Sequence, residues 1–206
     1  TNGDFVEEVG IQIHSNSETT YRAFGKIYLD EFHIYGKPSY SIDFSKQVIE
    51  FKSVTPFAHH HGTWTLGNGA MVMNSLQDAA SFTGHYYMSD TNIEVEILPK
   101  QGGNHHIIFR AEGVTRHYYA GFENEREIAI VLIEDEFRQT LVKAPYVWAL
   151  GNSYTFTVTS VKDLIQFSIN GQLLLKVKNE RFKQGMVGLG TRSGGVCEYR
   201  TFSVNQ

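Results

Sequence analysis

The chain has 206 residues, 41% of them hydrophobic and 13% aromatic, with a formal net charge of −4. This supply of apolar side chains is enough for a full core and excludes a disordered chain. Domains that bind nucleic acids gather basic side chains on one face, whereas acidic and basic residues are interspersed here, so no nucleic-acid partner is expected. No apolar run approaches the roughly eighteen residues of a membrane span, which argues against membrane insertion.

The cysteine content and the first residues bear on where the chain resides. A single cysteine, Cys197, rules out an internal disulfide and a cysteine-based zinc site. The chain opens with Thr1-Asn2-Gly3-Asp4 and has no basic or apolar leader, so we expect that it was processed or cut from a longer protein. Lack of disulfides suits the cytosol but is also common in exported bacterial proteins, and an extracytoplasmic location is our expectation.

Residues 1–38 are predicted to form a separate N-terminal piece. Strands are predicted near residues 9–14 and 26–35, with a loop of turn-forming residues between them. The run Gly36-Lys37-Pro38 then breaks the chain. We therefore divide the chain into N-terminal strands at 1–38 and a main domain at 39–206.

The main domain reads as one strand after another. Apolar and polar residues alternate in residues 92–97 and 164–169, which is the period that a strand with one buried face requires. Asn170-Gly171 is a strong hairpin signal, because a type I′ turn needs positive φ at both central residues. A helical turn is predicted only near residues 77–81, and a histidine-bearing loop at 56–62. The predicted strands are 41–44, 64–66, 70–74, 86–89, 92–99, 105–111, 117–123, 127–134, 137–144, 153–161, 164–169, 172–178, 186–191 and 196–204.

Many short strands without intervening helices predict an all-β protein with two sheets packed face to face. Turn residues, core aromatics and one arginine follow one another along these strands. In chain order they are Gly62, Trp64, Tyr86, Phe109, Arg110, Tyr119, Gly121, Gly151, Tyr154, Asn170, Gly171, Gly185 and Gly188. This order resembles that of the concanavalin A-like (laminin G-like) jelly rolls. The resemblance implies a two-sheet antiparallel jelly roll with extra N-terminal strands.

A narrower resemblance is to the non-catalytic C-terminal region of some bacterial ADP-ribosylglycohydrolase-like proteins. In those proteins a galactose-binding-like sandwich precedes the jelly roll, and residues 1–38 are similar to its closing strands. The resemblance implies a carbohydrate-binding-type module, with a carbohydrate and the other domains of a parent chain as partners. A related jelly roll, the 3-keto-disaccharide hydrolase type, makes a glycoside hydrolase the first alternative, and a structural or docking domain is the second.

The predicted ligand-binding residues lie on two neighbouring strands. They are His106, Arg110, Tyr118, Tyr119 and Glu123. If a hairpin pairs the strands, Arg110 would lie near a tyrosine and Glu123 on one sheet face. Tyrosine rings stack on the apolar face of a sugar while fixed polar groups bond its hydroxyls. The alternative is an ordinary cross-strand arginine–glutamate pair with tyrosines capping the core.

The hydrolase alternative needs two carboxyl groups about 5–9.5 Å apart across the scissile bond. Glu94 and Glu96 share one face of a predicted strand, roughly 6.5–7 Å apart, and Glu123 is a third candidate. The same alternation describes a plain solvent-facing strand. We favour a non-catalytic chain and leave its enzymatic status open.

No cofactor is predicted, and metal binding has weak support. Adjacent side chains in His59-His60-His61 point to opposite sides of an extended chain, and no carboxylate lies close in sequence, so a solvated loop is favoured. A structural calcium ion held by loop carboxylates stays open, although the sequence has no D-x-D-x-D-G loop. The candidate ligands are Asp30, Asp43, Asp78 and Asp90, of which Asp30 and Asp43 are retained as the weak metal prediction.

Overall fold

The computed structural model describes residues 39–46 and 56–206. These residues form fifteen strands and one turn of 3-10 helix, Phe44–Lys46, with no α-helix in the described part. No helix within those ranges is long and apolar enough to cross a membrane. The predicted strands in residues 1–38 lie outside the described residues. The strands are β1 Tyr40–Asp43, β2 Ala58–His60, β3 Thr63–Gly67, β4 Ala70–Ser75, β5 Ala79–Thr83, β6 Thr91–Gln101, β7 His105–Gly113, β8 Arg116–Asn124, β9 Glu127–Glu134, β10 Phe137–Pro145, β11 Tyr154–Val161, β12 Leu164–Ile169, β13 Gln172–Lys178, β14 Met186–Thr191 and β15 Gly195–Asn205.

The strands form two antiparallel sheets packed as a sandwich. Sheet A has the order β13-β12-β11-β6-β15-β4-β3, with β1 also paired to β15, and sheet B has the order β10-β9-β8-β7-β14-β5-β2. The chain changes sheet repeatedly, for example between β2 and β3, between β4 and β5, and between β14 and β15. The predicted all-β, two-sheet jelly-roll fold is confirmed.

Alternation along each strand supplies the core between the sheets. In β6, Ile93, Val95 and Ile97 face inward, and Val95 lies in register between Phe156 of β11 and Phe202 of β15. In sheet B, Phe122 faces this layer and stacks on Trp148 with ring centroids 4.1 Å apart. Each fully buried side chain of this size contributes about 1.5–3 kcal/mol of hydrophobic stabilisation.

The strands β9, β12, β13 and β14 have the predicted bounds. The helical turn predicted at 77–81 and the strand predicted at 86–89 are wrong. Strand β5 occupies Ala79–Thr83 instead, and residues 86–89 form a loop. All five residues of β5 are buried, because it lies between β14 and β2 with both faces covered, so it shows no alternation from which to predict it.

Candidate functional site

The side of sheet B that faces away from sheet A, here called the outer face, carries most of the predicted ligand residues. Alternation places Tyr119 and Glu123 of β8 on this face together with His106 of β7. Apolar side chains of neighbouring strands surround Tyr119 in a second buried cluster that includes Ile108 and Val131. Three of the five predicted ligand residues, His106, Tyr119 and Glu123, therefore share a face.

The polar centre of the outer face is a three-residue cluster, here called the Tyr119 cluster, which comprises Tyr119, Glu123 and Arg138. The Tyr119 hydroxyl donates to Glu123 Oε2 (2.9 Å) and accepts from Arg138 Nε (3.1 Å) and Nη2 (3.0 Å). Arg138 Nη2 also donates to Glu123 Oε1 (2.5 Å), and Nη1 donates to the Thr140 hydroxyl (3.3 Å). Burial, followed by the neighbouring Glu123 carboxylate, raises the pKa of Tyr119, so this phenol stays protonated. The three groups satisfy one another's hydrogen bonds.

Two buried histidines lie beside the Tyr119 cluster. The His106 ring stacks on Tyr119 at a centroid distance of 4.2 Å, and its Nδ1 donates to Asn104 Oδ1 (2.8 Å). Burial lowers the pKa of His106 well below its usual value and that of His117 to about 4. Both rings are therefore neutral at pH 7 and cannot supply a cation to a ligand.

The expectation that Arg110 lies near Glu123 on an open face is wrong. In the β7–β8 register His105 pairs with Phe122, so Glu123 lies at the end of the hairpin away from its turn, about 20 Å along the strand from Arg110. Arg110 itself sits in a bulge, where three residues of β7 oppose one of β8, and its φ is +48°. The bulge turns the side chain inward.

Arg110 is only 1% exposed, and its guanidinium donates to three backbone carbonyls. The acceptors are Ser89 O (3.3 Å), Phe182 O (3.3 Å) and Lys162 O (2.7 Å), each on a different connection. Arg110 also forms a long ion pair with Asp90, in which Nη2 lies 3.9 Å from the carboxylate Oδ1. Arg110 is therefore a buried tie between loops rather than a surface group that contacts a sugar.

Tyr118 also faces the interior and not a ligand surface. Its ring lies in the core between the sheets, stacked on Phe109 at 5.4 Å. Its hydroxyl donates to Asn179 Oδ1 (2.5 Å) and accepts from the Phe182 amide (3.1 Å). Tyr118 and Tyr119 point to opposite faces, as the alternation requires.

The candidate catalytic carboxylates are divided between the two sides of the sandwich. Glu94 and Glu96 lie on the outer side of sheet A, and Glu96 is held by Ser153 Oγ (2.7 Å) and Arg200 Nη1 (3.2 Å). Glu123 lies on the outer face of sheet B. Because two packed sheets, about 10 Å apart, separate these faces, Glu123 cannot flank one glycosidic bond together with either of the others.

The described residues contain no group of three or more histidine, cysteine, aspartate or glutamate side chains arranged to hold a metal ion. Asp43 instead accepts hydrogen bonds from the Ser45 amide (3.0 Å) and hydroxyl (2.6 Å) and pairs with Lys46 (3.1 Å). Asp30 lies outside the described residues. Of the three consecutive histidines, His59 bonds Ser81 (2.8 Å) and stacks on Trp64 at 5.5 Å.

An open cleft of about 470 Å³, here called the edge cleft, lies at the opposite edge of the sandwich from β10. It is lined by residues 61–63 and 74–78. These residues form the β2–β3 and β4–β5 connections and the adjoining ends of β3 and β4, and both connections pass from one sheet to the other. Neither the edge cleft nor Arg138 was predicted from the sequence, because the groups meet only through strand pairing.

Comparison with known proteins supports the fold. No family model and no curated protein matches the sequence. Among solved structures, the chain is similar to the carbohydrate-binding module CBM66 from Bacillus subtilis, with a TM-score of 0.68, 16% identity, and coverage of 74% of this chain and 96% of that one. It is equally similar, at a TM-score of 0.68, to a protein of unknown function with a galectin-like fold from Bacillus subtilis, with 13% identity and coverage of 84% and 98%.

A third similar structure is the exoplasmic/lumenal domain of VIP36 in its Ca²⁺-bound form, with a TM-score of 0.61, 10% identity and coverage of 81% and 89%. At these identities the likeness is one of fold alone. It agrees with the predicted concanavalin A-like sandwich.

Proposed function

We propose that this chain is a non-catalytic carbohydrate-binding module. The observation that carries the proposal is its likeness to CBM66, which extends over 96% of that module's length. Fold alone does not determine function, so the proposal needs a surface suited to a sugar. The edge cleft is such a surface, since it is open and lined largely by polar groups.

The separation of Glu123 from Glu94 and Glu96 supports the non-catalytic part of the proposal, because it leaves only a same-strand pair for a hydrolase. In that pair, Glu96 already bonds Ser153 and Arg200. The parent protein is proposed to be a larger bacterial glycan-active or ADP-ribosylglycohydrolase-like protein located outside the cytoplasm.

Of the predicted ligand residues on the outer face, Glu123 is retained as a proposed ligand contact, whereas the rings of His106 and Tyr119 are buried. The Tyr119 ring is buried, so it cannot stack on a sugar as predicted. The groups of the Tyr119 cluster that reach solvent are Glu123, with a side chain 21% exposed, and Arg138, at 34%. The outer face and the edge cleft are therefore two separable placements for a saccharide.

The test is to apply the whole chain to a glycan array and to titrate any hits by isothermal calorimetry. A reducing-end assay on the same saccharides follows turnover. We expect saturable binding of at least one saccharide with no release of new reducing ends. Absence of binding to every saccharide would contradict the carbohydrate-binding function, and turnover would contradict the non-catalytic assignment.

A further inference from the structure

We propose that the edge cleft binds the saccharide, and that the ligand is a neutral sugar held through adjacent hydroxyl groups. This inference rests on the proposed function and adds a site and a ligand class to it. The edge cleft is an open depression of about 470 Å³, with room for part of a saccharide that stays largely in contact with solvent. The cleft side chains of the β4–β5 connection, Leu76, Gln77 and Asp78, are exposed and available to a ligand.

The lining matches the chemistry of sugar hydroxyls. Asn74 and Gln77 each offer an amide donor and an acceptor, and Thr63 and Ser75 offer hydroxyls. A vicinal diol needs such closely spaced donors and acceptors. Leu76, which is 92% exposed, adds an apolar surface for the C–H face of a sugar ring.

The charges of Asp78 and its neighbour Arg192 bear on which saccharides the cleft favours. Its carboxylate accepts a hydrogen bond from the Ser193 amide (2.8 Å), and Arg192 lies 3.8 Å away. Oxygens with remaining lone pairs accept strong hydrogen bonds from hydroxyl groups. Because Arg192 balances the Asp78 carboxylate, the cleft presents no net charge to attract an anionic sugar and favours a neutral saccharide.

The backbone of the cleft is fixed before any ligand binds. His61 and Gly62 form a turn in which both residues have positive φ, +58° and +73°. The Trp64 indole donates to the His61 carbonyl (2.9 Å), and the Trp64 ring stacks on His59 at 5.5 Å and on Tyr199 at 6.0 Å. A pre-formed site loses less conformational entropy when a ligand binds.

Gly62 also brings the two cleft walls close together. A Cβ atom at this position would lie 2.8 Å from Ala79 Cβ and 3.3 Å from Ser75 Cβ. Together with the positive φ, this contact leaves room only for glycine. The close approach holds the β2–β3 connection against the β4–β5 connection and so defines the cleft floor.

The experiment compares two cleft variants with two matched controls, all titrated by calorimetry with the best neutral glycan from the array. Asp78→Asn and Gln77→Ala alter the cleft. Asp163→Asn, which loses a surface ion pair to Lys178, and Gln172→Ala, at an exposed position of β13, are the controls. We expect Asp78→Asn to weaken binding about tenfold or more and Gln77→Ala about fivefold, with both controls within about twofold of wild type. Circular dichroism confirms that each variant is folded.

The outcomes separate the assignment from the function. Cleft variants that bind like the wild type would overturn the cleft assignment, and loss of binding in Glu123→Gln would then support the outer face. Equal affinity of the wild type for a neutral glycan and its uronic acid counterpart would overturn the ligand class. A wild-type chain that binds no saccharide contradicts the proposed function and this assignment with it.

Discussion

The outer face of sheet B and the edge cleft both contain polar side chains, but in the cleft only some of them, Ser75 and Asp78, are hydrogen-bonded within the protein. In the Tyr119 cluster, the phenol, Glu123 and Arg138 bond one another, and the ring is buried. In the edge cleft, the side chains of Asn74 and Gln77 are exposed, and the cleft that they line is open to solvent. A group whose hydrogen bonds are satisfied internally gains little from a ligand hydroxyl. This difference supports our proposal that the saccharide binds in the edge cleft and that the Tyr119 cluster is mainly structural.

The largest expected effect concerns Arg110, the buried tie in sheet B. Arg110→Ala removes the guanidinium that donates to three backbone carbonyls, and it leaves a cavity. We therefore expect a loss of about 4 kcal/mol in the free energy of unfolding. Urea denaturation measures it. Arg181→Ala, which removes an exposed ion pair with Glu134, should leave the free energy of unfolding nearly unchanged, because solvent screens that pair. A similar small loss for both variants would contradict the role of Arg110 as a structural tie.

A second test compares close packing in sheet B with open space in sheet A. A Cβ at Gly121 would lie 2.6 Å from His106 Cα, whereas a Cβ at Gly67 meets nothing within 4 Å. Gly121→Ala should destabilise the fold by about 3 kcal/mol, because the backbones of β7 and β8 would have to separate. Gly67→Ala should change stability by under about 1 kcal/mol. If thermal unfolding finds the two variants alike, the outer face is not tightly packed.

Acid sensitivity should also originate in sheet B. His105 is fully buried, and burial lowers the pKa of its ring to about 4 against the raising effect of the Gly102 and Gln101 backbone groups. The unfolded chain binds its proton first, near pH 6.5, so stability falls as the pH drops from about 6.5 towards 4. His105→Leu should be at least as stable as wild type at pH 8 and retain about 3 kcal/mol more of its stability at pH 4. Parallel pH–stability curves for the two proteins would contradict this prediction.

The smallest expected effect is the coupling within the Tyr119 cluster. Glu123 and Arg138 are partly exposed, so their ion pair is screened by solvent. A double-mutant cycle with Glu123→Gln and Arg138→Met should give a coupling energy of about 1 kcal/mol. A coupling of zero would mean that the observed network contributes nothing to stability.

The sequence predicted which residues lie close together better than it predicted which of their side chains are exposed. His106, Tyr119 and Glu123, predicted as ligand residues on two neighbouring strands, lie on one side of sheet B. The prediction failed at Arg110 because the bulge after Phe109 adds residues to β7 and changes the direction of the side chain. A bulge of this kind has no sequence signal in a strand without glycine or proline at that point.

The missed parts of the candidate site depend on strand register and on sheet crossings. Arg138 reaches Tyr119 from β10, two strands away, and no spacing in the sequence relates them. The walls of the edge cleft, residues 61–63 and 74–78, meet only because the chain changes sheet at both places. Strand β5, which borders the cleft, was missed for its lack of alternation, and the cleft was missed with it.

The most direct test of saccharide recognition in the edge cleft is an NMR titration of the ¹⁵N-labelled chain with a neutral glycan identified on the array. We predict saturable chemical-shift changes concentrated in residues 61–63, 74–78 and 192–193, with the chemical shifts of β8 and β10 unchanged. Shifts confined to β8 and β10, or no saturable shifts at any residue, would contradict it.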